Sequence, residues 1–184
     1  MRVISGEAHG RRLSAPRGLL TRPATARVRA SIFSRLASRL DLTGARVLDL
    51  FAGSGSLGLE ALSRGAAHAT FVDSSRAATA VIARNLGELG LAPRARIMAL
   101  DFHRALADLA AAQERFELVF VDAPYAHDAS EEVLAMLARL NLIADQGYVV
   151  VRQFHRAPAA LTADLESVNA ATIGDHRIAL FRRL

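Results

Sequence analysis

Cysteine and lysine are both missing from this 184-residue chain, and none of its apolar runs is long. Without cysteine there is no disulfide framework, no thiolate metal site and no cysteine nucleophile. Six histidines are present, but none pair at metal-ligand spacing, so no metal is expected. His103, His127 and His155 read as surface or capping residues. Apolar runs such as Leu118–Val121 and Val149–Val151 fall far short of the ~20 residues of a membrane helix. Met1–Glu7 lacks the apolar stretch and small-residue cleavage site of a secretory leader, which makes a bacterial-type cytoplasm the expected location.

With lysine absent, the net charge of +5 rests on arginine alone. GC-rich codon usage could account for that choice of cation, but not for where the arginines fall. Positions 2, 11, 12, 17, 22, 27, 29, 35 and 39 are arginine, with Glu7 the one acid before Leu40, whereas the rest of the chain is close to balanced. A basic segment joined to a near-neutral body points to a polyanionic partner. The composition shift lies near Asp41–Gly44, which divides the chain into an arginine-rich extension (1–42) and a main domain (43–184).

From Ala45 onward short apolar runs alternate with helical patterns. Strands are expected at 46–50, 69–73, 96–100, 116–122 and 147–152, with two weaker ones near 165–169 and 177–182 that could pair antiparallel at one edge. Helices are expected from Ser56 to Arg64, from Ser74 or Ser75 to a stop at Gly90, from Phe102 to Ala112 and from Glu131 to Leu140. This alternation predicts an α/β domain built on a doubly wound, largely parallel sheet. In the extension, 2–13 suggests a hairpin, and Thr25 can cap a helix running to Leu40 whose Val28, Ile32, Phe33 and Leu36 would pack on the sheet domain.

Ligands in such sheets bind beyond the carboxyl ends of the strands. Asp49, Asp73, Asp101 and Asp122 all fall at or just past an expected strand end. Between the first strand and its helix lies Gly53-Ser-Gly55-Ser-Leu-Gly58, and Asp73 follows about twenty residues later, which satisfies a dinucleotide fingerprint. The carboxylate of Asp49 just before this turn would repel a pyrophosphate, yet it would attract the ammonium or sulfonium of S-adenosylmethionine. Asp73 could accept hydrogen bonds from ribose hydroxyls in either case. Asp101 could reach an adenine amino group or simply cap the following helix. Phe51, Ala52 and Phe102 complete the candidate cofactor contacts.

Asp122-Ala-Pro-Tyr125 closes the fourth strand. An exocyclic amino group on a base is a poor nucleophile, because its lone pair is delocalised into the ring. Asp122 and a nearby main-chain carbonyl could accept its two N–H bonds and aim the lone pair, Pro124 would stiffen the loop and Tyr125 could stack on an extruded base.

With these residues in view, the chain resembles the RsmD family of 16S ribosomal RNA guanine-N2 methyltransferases along essentially its whole length. The likeness is carried by the opening Met1-Arg-Val-Ile-Ser-Gly-Glu-Ala-His-Gly-Arg-Arg-Leu13, by Thr21-Arg-Pro-Ala-Thr-Ala-Arg-Val-Arg29 followed by Ile32-Phe33, and by Asp49 through Gly65. The resemblance implies a Rossmann-like class I methyltransferase fold with a seven-stranded sheet, S-adenosylmethionine as cofactor and 16S ribosomal RNA as partner, naked or within an assembling small subunit. It places Asp49, Gly53 and Gly55 at the methyl donor, Asp73 at its ribose, Asp101 near its adenine, and Asp122, Pro124 and Tyr125 in the catalytic loop. Arg22, Arg27 and Arg29 would face RNA, with Arg11 and Arg12 of the Gly-Arg-Arg turn as further candidates. Ala123, where the family has proline, departs from the pattern, as do Ala24, Ala26 and Ala30 in the arginine block. A monomer acting away from membranes is expected. The competing readings are an N6-adenine methyltransferase, an NAD-dependent oxidoreductase and an inactive RNA-binding relic.

Overall fold

The computed structural model describes residues 1–16, 25–123, 129–154 and 164–184, the side chains of 153 and 154 excepted. Among them, β1 (Arg46–Leu50), β2 (His68–Val72), β3 (Ala95–Met98), β4 (Phe116–Val121), β5 (Ile143–Phe154), β6 (Leu165–Ile173) and β7 (His176–Arg183) form one seven-stranded sheet in the order β3-β2-β1-β4-β5-β7-β6. β1 pairs in parallel with both β2 and β4, β2 with β3, and β4 with β5. β7 runs antiparallel between β5 and β6, so the two tail strands close one side of the sheet. The strand order reverses between β1 and β4, and in doubly wound sheets that reversal opens a crevice at the carboxyl edge.

Helices α1 (Ala26–Ala37), α2 (Ser56–Ser63), α3 (Arg76–Leu89), α4 (Phe102–Ala111) and α5 (Ser130–Arg139) cover both faces. Successive strand residues point to opposite sides, so β1 sends Val47 to one apolar cluster and Leu48 and Leu50 to the other. The first cluster joins Val47, Phe71, Leu118, Phe120 and Val150 to residues of α1, α2 and α3; the second joins Leu48, Leu50, Val119 and Val149 to α4 and α5. Local chemistry sets the helix ends. The hydroxyls of Thr25 and Ser75 accept from the amides of Val28 and Ala78, both at 3.3 Å, and Gly90 ends α3 in the left-handed region at φ 73°.

Several boundaries differ from expectation. α1 stops at Ala37, short of Leu40, and β3 ends at Met98, short of Leu100. β5 begins at Ile143 rather than Gly147: Gln146 sits at φ 63° and the β4–β5 register slips between Phe116 and Leu118, an irregularity that hides the strand from any period-2 reading. β6 extends to Ile173.

The expected N-terminal hairpin is present. Arg2 and Arg12 form an antiparallel bridge, flanked by Val3 N–H to Arg11 O and Gly10 N–H to Val3 O, both 3.0 Å. It docks through buried polar side chains. Glu60 accepts from the amides of Ile4 (2.7 Å) and Ser5 (3.0 Å), and Ser63 Oγ accepts from Ala8 N–H (3.0 Å) while donating to Ser5 O (2.6 Å). Asn85 accepts from Ser14 N–H (2.8 Å) and donates to the carbonyls of Ser14 (3.1 Å) and Ser54 (3.0 Å). Val3, Ala8 and Leu13 join the same apolar cluster as Val47 and Leu59, so residues on both sides of position 42 share one core.

Candidate active site

The turn after β1 combines three left-handed residues, Phe51 (φ 57°), Gly53 (φ 56°) and Gly55 (φ 75°). In phenylalanine this conformation carries strain of about 1 kcal/mol or more, a cost that persists where surrounding contacts over-determine the backbone and that clusters at ligand clamps. The contacts are visible: Ala52 N–H donates to Val72 O (3.0 Å), Gly55 N–H to Ala52 O (2.7 Å), and Gly53 N–H to Asp73 Oδ2 (2.8 Å). Asp73 Oδ1 accepts from Ser75 N–H (2.9 Å). Asp73 thereby ties the first turn to the start of α3 and keeps further lone pairs for a hydroxyl donor.

Asp49 lies inside β1, almost wholly buried, and accepts from Gly58 N–H at 2.9 Å through Oδ2. A Cβ on Gly58 would stand 2.4 Å from the Phe71 ring and 3.2 Å from that oxygen, so the helix can reach the carboxylate only as glycine. Burial pushes the Asp49 carboxyl well above the usual carboxylate range; the Gly58 N–H opposes this, and the charges of Asp122 and Asp73 add to it. Such a group is stabilised by an approaching cation and disfavours an approaching anion. The donor set therefore suits the ammonium or sulfonium of S-adenosylmethionine and not a pyrophosphate.

Asp101 caps α4, its Oδ1 accepting from His103 N–H (3.0 Å) and Arg104 N–H (3.2 Å). Its carboxylate is largely exposed, so the capping role does not block contact with a ligand. Phe102 packs its ring 5.4 Å from that of Phe51, joining the third strand's loop to the first turn.

Asp122 follows β4 directly, and the alternation of Phe120 and Asp122 puts it on the same sheet face as Asp49. Its carboxylate is gripped by Arg152 of β5: Nε donates to Oδ1 at 2.5 Å and Nη2 to Oδ2 at 2.8 Å. The two side chains are 16% and 6% exposed, respectively. Burial raises the Asp122 carboxyl, while the guanidinium of Arg152 and, more weakly, His176 pull it back. Sequence reasoning missed Arg152. The available signal was a cation ending the apolar run Tyr148–Val151, level with the carboxylate that ends the neighbouring strand. Ala123 is buried, and Pro124 and Tyr125 lie outside the described residues.

The arginine block divides. Arg11, Arg12 and Arg27 are exposed, and Arg22 lies outside the described residues. Arg29, expected to face RNA, is instead fully buried: Nη2 donates to Arg2 O at 2.7 Å and Nη1 stands 3.9 Å from Glu60 Oε2. It shares the helical stripe of Ile32, Phe33 and Leu36, so it anchors the hairpin to α1. Among the described residues no cluster of potential metal ligands occurs, and no helix is long and apolar enough to cross a membrane.

Residues 1–182 match the family described as conserved hypothetical protein 95. The chain is 36% identical over 184 residues to the YlbH protein of Bacillus subtilis, spanning 100% of this chain and 99% of the relative. It is 38% identical over 151 residues to ribosomal RNA small subunit methyltransferase D of Escherichia coli, spanning 82% of this chain and 73% of that one. The solved structure of the Escherichia coli protein yhhF is similar with a TM-score of 0.85 at 34% identity, covering 100% of this chain and 97% of the other. With the match running nearly end to end and the sheet order that of a class I methyltransferase, the chain belongs to the RsmD family of methyltransferases.

Proposed function

We propose that this chain transfers a methyl group from S-adenosylmethionine to the N2 amino group of a guanine in 16S ribosomal RNA. The observation that carries this reading is Asp122, a fixed carboxylate on the same sheet face as the buried, cation-seeking Asp49. The RNA is suggested by the name of the Escherichia coli relative together with the exposed Arg11, Arg12 and Arg27; guanine N2 is what the family resemblance implies.

When bound, S-adenosylmethionine supplies a methyl group on a positively charged sulfur. Asp49 provides the negative field that holds the donor's cationic end, the strained turn of Phe51, Ala52, Gly53 and Gly55 shapes the backbone around it, and Asp73 accepts from ribose hydroxyls. Asp101, Phe51 and Phe102 border the adenine. Asp122 accepts an N–H of the target amine and turns its lone pair toward the methyl carbon, with Pro124 stiffening the loop and Tyr125 stacking on the base. Catalysis of this kind is positioning and electrostatics. Residues 1–42 act as an RNA-facing extension of the methyltransferase domain 43–184. Arg11, Arg12, Arg22 and Arg27 contribute salt-dependent contacts to phosphates. The protein works as a monomer in the cytoplasm, on 16S RNA alone or in an assembling subunit.

The test is incubation with labelled donor and small-subunit RNA, followed by mass analysis of the nucleosides. The label is expected on guanine, and Asp122→Ala is expected to slow transfer by about a thousandfold with donor affinity nearly unchanged. Label on adenine overturns the choice of base. Full activity in Asp122→Ala overturns the mechanism.

A further inference from the structure

A carboxylate can orient an amino group only if its own torsions are held. Asp122 lies at the end of a strand and leads into a loop, where a short side chain would otherwise rotate. Val121 pairs with Val151, which makes Asp122 and Arg152 the next register positions on adjacent parallel strands. Both point to the face that carries Phe120 and Val150. The planar guanidinium meets the carboxylate with two side-by-side N–H···O bonds, a geometry that fixes the carboxylate plane as well as its position. Each oxygen spends one lone pair on Arg152 and keeps another. We propose that Arg152 is a positioning residue for methyl transfer: it locks the Asp122 carboxylate so that its remaining lone pairs face the target amine. This rests on the reading of Asp122 given above.

An ion pair that merely joins β4 to β5 would be redundant, since their backbone ladder already runs through Val121–Val151. Buried ion pairs are also poor sources of net stability, because desolvation offsets the attraction. The surrounding charges make a cation necessary here. Asp122 faces Arg152 from β5 and His176 from β7, and Asp49 of β1 feels the negative charges of both Asp122 and Asp73. Burial and the proximity of Arg152 lower the basicity of His176, against the smaller opposing pulls of Asp122 and Asp175, so His176 is the weaker cation of the two. Arg152 is then the cation that keeps Asp122 an acceptor in a neighbourhood of carboxylates.

The test uses the full-length protein with Arg152→Met and Arg152→Lys, single-turnover transfer to RNA across pH, donor affinity by calorimetry and a thermal melt. Arg152→Met is expected to slow transfer by about a hundredfold at neutral pH with donor affinity unchanged. Its acid limb should move to higher pH, because burial then acts on Asp122 without the guanidinium. Arg152→Lys keeps the charge and loses the fork. It should be slowed by about tenfold with the acid limb in place, and it carries the test alone if the methionine variant does not fold. An unchanged rate in either folded variant, or a loss in Arg152→Met with no movement of the acid limb, overturns the proposal. Asp122→Ala measured alongside separates the two ideas. If it stays active, the reading of Asp122 has failed; if it is inactive while the Arg152 variants are normal, only the positioning role has.

Discussion

Glu60 and Asp49 are both buried carboxylates close to the first turn, one in α2 and one in β1, yet their surroundings differ in kind. Glu60 is saturated: the amides of Ile4 and Ser5 and the Nε of Arg64 (2.8 Å) donate to it, and Arg29 stands close by. Asp49 has the Gly58 amide at 2.9 Å and two other carboxylates for electrostatic neighbours. A buried acid whose acceptor sites are filled by the chain itself is a fastener. One left with a single backbone donor among like charges is costly to keep ionised, and that cost is relieved by a proton or by a bound cation.

Five substitutions can break or sharpen this contrast. Glu60→Ala should show the largest effect, about 3 kcal/mol of unfolding free energy, since it strands the Arg29 guanidinium and two amides; urea denaturation would measure it. A loss below half that value would mean that the hairpin docks mainly through Val3, Ala8 and Leu13. Asp49→Asn should act in the opposite sense on the two readouts. The folded-state pKa of Asp49 is raised, so the stability linked to it is present below the unfolded pKa and lost as pH rises through the folded one. Asparagine never ionises, so the variant should melt higher than wild type at neutral pH while binding S-adenosylmethionine about a hundredfold more weakly. In the wild type, donor affinity should fall as pH drops through the raised pKa, with a proton released on binding; calorimetry in buffers of different ionisation enthalpy would detect it.

Smaller effects test the rim of the site. Asp101→Ser retains a good helix cap but shortens the side chain, so stability should hold while donor affinity drops by about tenfold, the worth of one hydrogen bond. An unchanged affinity would leave Asp101 as a cap alone. Arg27→Ala should weaken RNA binding only severalfold and reduce the salt-dependence slope by about one. The same change at buried Arg29 should instead lower the melting temperature, with little effect on that slope.

Much of the scaffold was legible because it obeys local rules. Strand β1 at 46–50, the caps at Thr25, Ser75 and Asp101, and the stop at Gly90 all coincide with the residues that the chemistry of caps and periodicity selects. The four strand-end aspartates also fall at the carboxyl edge. What escaped was set by partners distant in sequence. The arginine block points Arg29 toward RNA, although its spacing to Ile32, Phe33 and Leu36 places it on the buried stripe; the hairpin carbonyl of Arg2 and the nearby Glu60 carboxylate make that burial tolerable. Arg152 looked like an ordinary strand end, because nothing local reveals that β5 pairs with β4 in the register that sets it beside Asp122. Gly58 reads as the last glycine of a fingerprint, whereas its constraint comes from the ring of Phe71 in β2, on the sheet face that α2 covers.

Asn85 has a consequence for any mutational scan of this protein. Its amide has two N–H groups and one acceptor site in use, and they serve three main-chain groups, two on Ser14 and one on Ser54. Aspartate there would set a carboxylate against two carbonyl oxygens, and leucine would take the side-chain partner from three backbone groups, the buried Ser54 carbonyl among them. Histidine or glutamine would miss the spacing. Position 85 should thus tolerate replacement as poorly as Asp122 does, even though the bonds of Asn85 are to main chain alone. Intolerance alone would not distinguish the two; retained donor binding in a dead enzyme would mark Asp122, and loss of folded protein would mark Asn85.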